Sequence, residues 1–137
     1  MFKTVLFAID RSRESRHALD IAADLAHKYE SRLILLSVIE PPPPQTEAPT
    51  PNPMSSQEAV EQLLDGARKF LAEKGITSEI MEREGMPSFT ICDVADELNA
   101  DLIIMGSRGT GLTAEGASES VTNRTIELSP CPVLVVP

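Results

Sequence analysis

The residues best suited to chemistry form a glycine-rich stretch, Gly106-Ser-Arg-Gly-Thr-Gly111, between an apolar run and an amphipathic segment. Glycines let a backbone approach an anion closely, and free N–H groups at the start of a helix can point at that anion. The stretch therefore predicts a phosphate-binding loop. Glu119, a few residues further along, has the wrong charge for this role.

Two common nucleotide-binding motifs do not fit this loop. No lysine occurs after Lys74, so the P-loop pattern GxxxxGK[ST] is absent. The dinucleotide pattern GxGxxG also fails, because Ala114 stands where the last glycine should follow Gly109 and Gly111. The loop also opens from the fourth predicted strand, whereas the dinucleotide loop opens from the first.

The elements that must position this loop alternate along the chain. Continuous apolar runs predict buried parallel strands at 4–9, 33–39 and 102–105, and shorter patterns predict strands at 76–83 and 133–136. Apolar stripes predict helices from Ser12 to about Tyr29, from Ser55 or Ser56 to Lys74, from Pro87 onward and over about 118–128. In the third helix, the side chains expected to face inward are Phe89, Ile91, Val94, Ala95 and Leu98.

This alternation predicts an α/β fold, an open five-stranded parallel sheet with helices on both faces. Such sheets bind ligands beyond the carboxyl ends of their strands, where the strand order reverses. Asp10 follows the first strand and Gly106 the fourth, so the two residues become neighbours if these strands adjoin. We expect a single domain over residues 1–137, with a proline-rich loop at about 40–54 that cannot be a helix or a central strand.

Three segments carry a family resemblance. They are the end of the first strand, Ala8-Ile-Asp10, with Ser12, Ser15 and Ala18-Leu19 after it; the stretch from Asp101 to Gly109; and Ser129-Pro-Cys-Pro-Val-Leu-Val-Val136. Together, in this order, they resemble the universal stress protein family over essentially the whole chain. The resemblance implies the adenine nucleotide alpha hydrolase-like fold, with strand order 3-2-1-4-5.

The resemblance also implies an adenine-nucleotide site. ATP-binding members of the family carry Gly-x2-Gly-x9-Gly-[Ser/Thr]; Gly106, Gly109 and Ser120 fill three of these places, and Glu119 stands at the third glycine. The implied binding residues are Ala8, Asp10, Val38, Met105, Gly106, Arg108, Gly109, Glu119, Ser120 and Val121. The implied ligands are ATP, ADP or AMP, with Mg²⁺ bound alongside the nucleotide.

The implied roles differ along the site. Asp10 would hold ribose or a metal-linked phosphate, Val38 would meet adenine through its backbone, and Ala8 and Met105 would line the cleft. Residues 108, 109, 120 and 121 would present N–H groups and a hydroxyl to phosphate. Taken from the sequence alone, simpler interpretations stay open. Asp10 or Ser120 could cap a helix, Ala8, Val38 and Met105 could be core residues, and Arg108 could be a solvated surface charge.

Glu119 leaves three outcomes open. It could turn to solvent or pair with an arginine such as Arg108, Arg11 or Arg13, share a divalent cation with the phosphates, or select against long phosphate chains. A carboxylate near a polyphosphate costs roughly 1–4 kcal/mol, which is about one to three decades of affinity. The sequence therefore predicts adenine-nucleotide binding with a weakened preference for the triphosphate.

Composition excludes several classes of function. The net charge of −9 argues against a nucleic-acid or anionic-membrane surface, and no apolar stretch is long enough to span a bilayer. The N-terminus has no leader pattern, so we expect a cytoplasmic protein, with Cys92 and Cys131 as reduced thiols. No catalytic residue and no metal-ligand cluster is predicted, so hydrolysis of ATP would at most be slow.

The predicted function is a regulatory or stress-protective one, exerted through nucleotide-dependent conformation or partner binding. The alternative is a dimeric interaction module of the same family that does not bind nucleotide. The last strand, Val133-Leu-Val-Val136, lacks a polar residue that would discourage edge pairing. The resemblance implies that this strand pairs across a two-fold axis, which predicts a homodimer.

Overall fold

Strands and helices alternate throughout the part of the chain that the computed structural model describes, which comprises residues 1–10, 12–40, 56–107 and 117–137, with only the backbone for 117–120. The elements are β1 (Thr4–Ala8), α1 (Arg13–Tyr29), β2 (Arg32–Ile39), α2 (Gln57–Glu73), β3 (Ser78–Glu84), α3 (Pro87–Leu98), β4 (Leu102–Gly106), α4 (Ala117–Leu128) and β5 (Val133–Val136). Residues 41–55, which include nearly all of the proline-rich loop predicted at about 40–54, lie outside the described residues.

The strands form one parallel sheet in the order β3-β2-β1-β4-β5. The central strand β1 pairs with β2 from Thr4–Arg32 to Ala8–Leu36, and with β4 from Val5–Leu102 to Phe7–Ile104. The chain proceeds from β1 toward β3 in one direction and then returns to add β4 and β5 on the other side. The predicted fold class and strand order are therefore confirmed, and the order reverses between β1 and β4.

Both faces of the central strands β1, β2 and β4 are buried, which explains why these strands are apolar without alternation. Phe7 and Ile104 lie on the face covered by α1 and α2, where they pack with residues such as Leu64 of α2. Leu6 and Ile103 lie on the opposite face, where they pack against α3. Successive residues of one strand thus serve two separate clusters of the core.

The helix ends follow local signals in the sequence. Ser12 caps α1 by accepting the backbone N–H of Ser15, and Ser56 caps α2 by accepting that of Ala59. Pro87 is the first residue of α3, where its missing N–H leaves no bond unmade. The helix starts predicted at Ser12 and at one of the two serines before α2 are confirmed, and Ser56 rather than Ser55 is the cap of α2.

Two details of the predicted elements are wrong. Phe89 does not face inward but is 46% exposed, because the buried stripe of α3 runs through Ser88, Ile91, Cys92 and Ala95 and leaves Phe89 beside it. Strand β3 begins at Ser78 rather than at Ile76, whose side chain is instead buried in the core directly after α2. As the predicted strand order requires, β3 lies at an edge of the sheet, and several of its side chains are exposed.

Candidate functional site

The carboxyl ends of β1 and β4 lie side by side at the point where the strand order reverses. Phe7 pairs with Ile104, so the next residues along the two strands, Ala8 and Met105, are neighbours. Asp10 and Gly106 follow them, and the predicted proximity of these two strand ends is confirmed. Open parallel sheets bind their ligands at this kind of crevice.

The apolar wall of this crevice comes from one face of the sheet. Val38 belongs to the core cluster on the α3 side, and Ala8 packs against the same cluster. Met105 lies two residues after Ile103 of that cluster, and alternation along the strand directs it to the same face. Val38 and Met105 are both buried. Their side chains therefore belong to the core, next to the strand ends at which the crevice is predicted.

The backbone of Val38 is directed toward the crevice. The Leu36 carbonyl oxygen accepts the Ile9 N–H at 2.8 Å on the β1 side, whereas the Ile39 carbonyl oxygen accepts the Gly85 N–H at 3.1 Å on the opposite side. Backbone groups of a strand alternate in direction, so the N–H and C=O of Val38 point to the β1 side. Because β1 ends at Ala8, these groups lie at its open end.

A closed set of hydrogen bonds holds Asp10. Its Oδ1 accepts the Ser12 N–H at 2.8 Å, and its own N–H donates to Ser15 Oγ at 2.9 Å. The Ser15 N–H in turn donates to Ser12 Oγ at 3.1 Å. Ser12 therefore caps α1, and Asp10 instead forms the turn that leads into the helix. The alternative interpretation of Asp10 as the cap of α1 is excluded.

The electrostatic setting of Asp10 is unfavourable for its charge. Burial raises the pKa of its carboxyl group above the ordinary value, although hydrogen bonds with Ser12 and Ser15 oppose this shift, and nearby Glu14 adds to it. A partly desolvated carboxylate is stabilised by hydroxyl donors or by a cation. The setting therefore suits a group that binds ribose hydroxyls or a metal-linked phosphate.

Gly106 has a packing role that the sequence did not reveal. A Cβ at this position would lie 2.9 Å from the Cβ of Glu14 and 3.3 Å from the Ser15 nitrogen. The first turn of α1 thus rests directly on the end of β4. On the other side of this strand end, Thr122 of α4 approaches the Gly106 and Ser107 carbonyl oxygens with its hydroxyl, at 3.5 and 3.3 Å.

Sequence reasoning missed the contributions of Glu14, Ser37 and Thr122. The Ser37 hydroxyl donates to the Ile9 carbonyl oxygen at 3.1 Å and so supports the backbone just before Asp10. Ser37 is a polar residue inside an otherwise apolar strand, which is the one signal that could have identified it. Nothing in the sequence marks Glu14 or Thr122, because their contacts arise only when separate elements meet.

The phosphate end of the predicted site lies mostly outside the described residues. Arg108 and Gly109 belong to 108–116, and Glu119 and Ser120 lie in the first turn of α4 without described side chains. Val121 is half-buried and accepts the Thr125 hydroxyl at its carbonyl oxygen. The roles of these residues, and of Ala8, Asp10, Val38, Met105 and Gly106, stay predictions.

The described residues lack a cluster of metal ligands, a membrane-spanning helix and paired cysteines. Within 1–10, 12–40, 56–107 and 117–137, no group of three or more His, Cys, Asp or Glu side chains could hold a metal ion. The same part of the chain contains no helix long and apolar enough to cross a membrane. Cys92 and Cys131 are free thiols, and burial raises the pKa of both.

The strand order and the crevice define an α/β protein of the adenine nucleotide alpha hydrolase-like fold. Within that class the chain belongs to the universal stress protein family, whose profile matches residues 1–137. It is 59% identical to universal stress protein Sll1654 of Synechocystis over 137 residues, which cover 100% of this chain and 87% of that protein.

Solved structures share the fold. A universal stress protein in complex with cAMP superimposes with a TM-score of 0.76 and 25% identity, over 98% of this chain and 97% of that one. The universal stress protein of Archaeoglobus fulgidus in complex with dAMP has a TM-score of 0.73 and 21% identity, over 100% of both chains. Because its identity is only 21%, the comparison with the dAMP complex shows a shared fold and nothing more.

Proposed function

We propose that this protein binds an adenine nucleotide in the crevice between the carboxyl ends of β1 and β4, and acts in the cytoplasm as a regulatory or stress-protective protein. The observation that carries the proposal is the placement of Asp10 at that crevice. Its carboxylate accepts the Ser12 N–H, and its backbone N–H donates to Ser15 Oγ. Burial removes solvent from the carboxylate, which calls for a polar ligand.

The proposed site has an apolar end and a polar end. Ala8 and Met105 contact the base and ribose, and the Val38 backbone, directed past the end of β1, hydrogen-bonds to adenine. Asp10 accepts hydrogen bonds from the ribose hydroxyls. Gly106, Arg108, Gly109, Ser120 and Val121 surround the phosphates, with N–H groups at the start of α4 as donors.

Mg²⁺ fits this arrangement only together with the nucleotide. Asp10 is one carboxylate, and the described residues add no cluster of ligands around it. Mg²⁺ in nucleotide sites commonly takes one or two carboxylates and completes its shell with phosphates and water. Asp10 would therefore bind Mg²⁺ through its carboxylate, and the ion would neutralise charge between that group and the phosphates.

One solved structure supports the choice of an adenine nucleotide as the ligand. The structure solved with cAMP is a universal stress protein with the same fold, and cAMP contains adenine, ribose and one phosphate. This chain differs from the ATP-binding pattern at Glu119. We therefore propose that ADP and AMP bind about as well as ATP, because the extra phosphates bring negative charge closer to Glu119.

Titration of ATP, ADP and AMP into the wild type, Glu119→Gly and Glu119→Gln tests this preference by calorimetry. Glu119→Gly should strengthen ATP binding by about ten- to a thousandfold and AMP binding much less. Glu119→Gln removes the charge but keeps a side chain, so it separates the effect of charge from that of closer approach between the backbone and the phosphates. The matched control is Glu127→Gln, which changes an exposed glutamate of the same helix. An unchanged ATP affinity in both Glu119 variants would contradict the role assigned to this residue.

A second titration tests the site itself. Asp10→Asn should weaken all three nucleotides by at least about tenfold, because the ribose contact is common to them. The control is Asp20→Asn, which changes an exposed carboxylate of α1. Equal affinities for the wild type and Asp10→Asn would reject the proposed crevice, and binding of no adenine nucleotide by the wild type would reject the function.

We also propose that the protein is a homodimer that pairs through β5. Among the described strands, β5 pairs with β4 only, so its other side is an edge. Its side chains are apolar, and those of residues 133–135 are partly exposed. The opposite edge strand, β3, carries Glu79, Glu82, Arg83 and Glu84, which discourage pairing.

Val135→Lys should convert the dimer to a monomer in light scattering, whereas Ile80→Lys on β3 should not. A dimer that survives Val135→Lys would contradict this interface.

A further inference from the structure

A groove of about 350 Å³ lies between α3 and α4, away from the proposed nucleotide crevice. Its lining consists of Phe89, Cys92, Asp93, Asp96, Leu128 and Pro130. The two helices meet beneath it, where the Cys92 thiol donates to the Thr125 carbonyl oxygen at 3.7 Å. The groove is therefore bounded by two helices in direct contact.

The groove exposes apolar surface that the core does not use. Phe89 is 46% and Leu128 is 47% exposed, on opposite sides of the groove. Met86 and Ile126, on the same two segments of the chain, are also more than half exposed. Single exposed apolar residues are ordinary, but an aromatic and a leucine that share one groove are typical of a docking surface.

Two carboxylates accompany this apolar surface. Asp93 and Asp96 line the groove, and neither forms an ion pair with another described residue. The neighbouring Glu97, by contrast, is paired with Arg83 at 3.1 Å. Among the described residues, the negative charge of the groove therefore has no ion-pair partner, and a complementary partner would bring positive charge.

We propose that the α3–α4 groove docks a segment of another protein that presents an apolar side chain flanked by lysine or arginine, as a basic amphipathic helix does. A second copy of this chain is a poor occupant. Docking of one such groove on another would bring Asp93 and Asp96 together with their own copies in a protein of net charge −9. Carboxylates placed opposite one another are repelled.

A synthetic amphipathic helical peptide, with leucines spaced i, i+4 and flanked by lysines, serves as the probe. Amide chemical shifts of the full chain should change around Phe89 to Asp96 and around Leu128. Phe89→Ala should weaken the peptide by at least about tenfold, because a central aromatic side chain contributes strongly to such interfaces. Ile80→Ala, which truncates another exposed apolar side chain on β3, should leave the affinity unchanged.

A second variant keeps the test independent of any packing effect of Phe89. Asp93→Asn with Asp96→Asn should weaken the peptide severalfold and reduce the salt dependence of its binding. A peptide with glutamates in place of the lysines should not bind. The proposal would be overturned if the amide chemical shifts changed only in other parts of the chain or did not change at all. Equal binding of the lysine and glutamate peptides would also overturn it. So would self-association that Phe89→Ala abolishes, because the occupant would then be a second copy.

Discussion

Replacement of Gly106 by alanine tests the contact that joins β4 to α1. The added Cβ would lie 2.9 Å from the Cβ of Glu14, and 3.3 Å from both the Glu14 carbonyl carbon and the Ser15 nitrogen. These are backbone atoms and a Cβ atom in the first turn of α1, and not the end of a flexible side chain. The variant therefore cannot relieve the overlap by a change of rotamer.

The overlap sets the size of the expected effect. Ordinary contact begins at 3.4 Å, so the first turn of α1 must move away from β4 by at least 0.5 Å, the difference between 3.4 and 2.9 Å. Overpacking of this kind typically costs about 1–3 kcal/mol. The turn that moves also carries Ser12 and Ser15, which fix Asp10, so nucleotide affinity should fall with stability.

Urea denaturation of the ligand-free protein measures the cost directly. Gly106→Ala should lower the free energy of unfolding by about 1–3 kcal/mol with little change in the slope of the transition. The matched control is Gly66→Ala in α2, where an added Cβ meets nothing within 4 Å. That variant should gain about 0.5–1 kcal/mol, because glycine is a poor residue for a helix interior. A Gly106→Ala variant as stable as the wild type would refute this account of the β4–α1 contact.

Three further predictions concern groups around the crevice and the groove. Burial raises the folded-state pKa of Asp10 above its ordinary value of 3.8, so its charge costs stability as pH rises through that range. Ligand-free Asp10→Asn should therefore gain stability relative to the wild type between acidic and neutral pH, measured by urea denaturation at several pH values. Ser12→Ala should cost about 1–2 kcal/mol and more than Ser56→Ala, because the Ser12 cap is buried and the Ser56 cap is exposed. Iodoacetamide should modify half-buried Cys131 before buried Cys92, as measured by mass spectrometry of digested protein.

Each of these predictions has a contrary outcome. A stability difference between the wild type and Asp10→Asn that does not change with pH would mean that the carboxyl group titrates alike in the folded and unfolded states. An equal loss in the two serine variants would show that burial of the Ser12 cap adds nothing. Prior modification of Cys92 would show that its thiol is more accessible to the reagent than that of Cys131.

Much of the fold could be predicted because its signals are local. The apolar run at 4–9 predicts a strand buried on both faces, and residues 4–8 form the central strand. Ser12 and Pro87 mark helix starts that the structure places within one residue, because capping depends on a residue and its immediate neighbours. The strand order came from the family resemblance, since periodicity alone does not say which strands adjoin.

Other features could not be predicted because they depend on contacts between distant segments. Periodicity placed Phe89 in the core, but the side of α3 that faces the sheet is chosen by packing, and Ser88 is buried instead. The sequence also left open whether Asp10 or Ser12 caps α1. That choice depends on the path of the chain out of β1, which its pairing with β2 and β4 determines.

By itself, the sequence determined the element types, the approximate helix starts, the family and the candidate residues of the site, because periodicity, capping chemistry and motif spacing are properties of neighbouring residues. Only the tertiary structure decided that Gly106 must be glycine to admit the first turn of α1, that burial disfavours the charge of Asp10, and that Phe89 and Leu128 share an exposed groove. The physical reason is that steric overlap, desolvation and shared surface arise between elements far apart in the chain, and they exist only after the sheet and helices have packed.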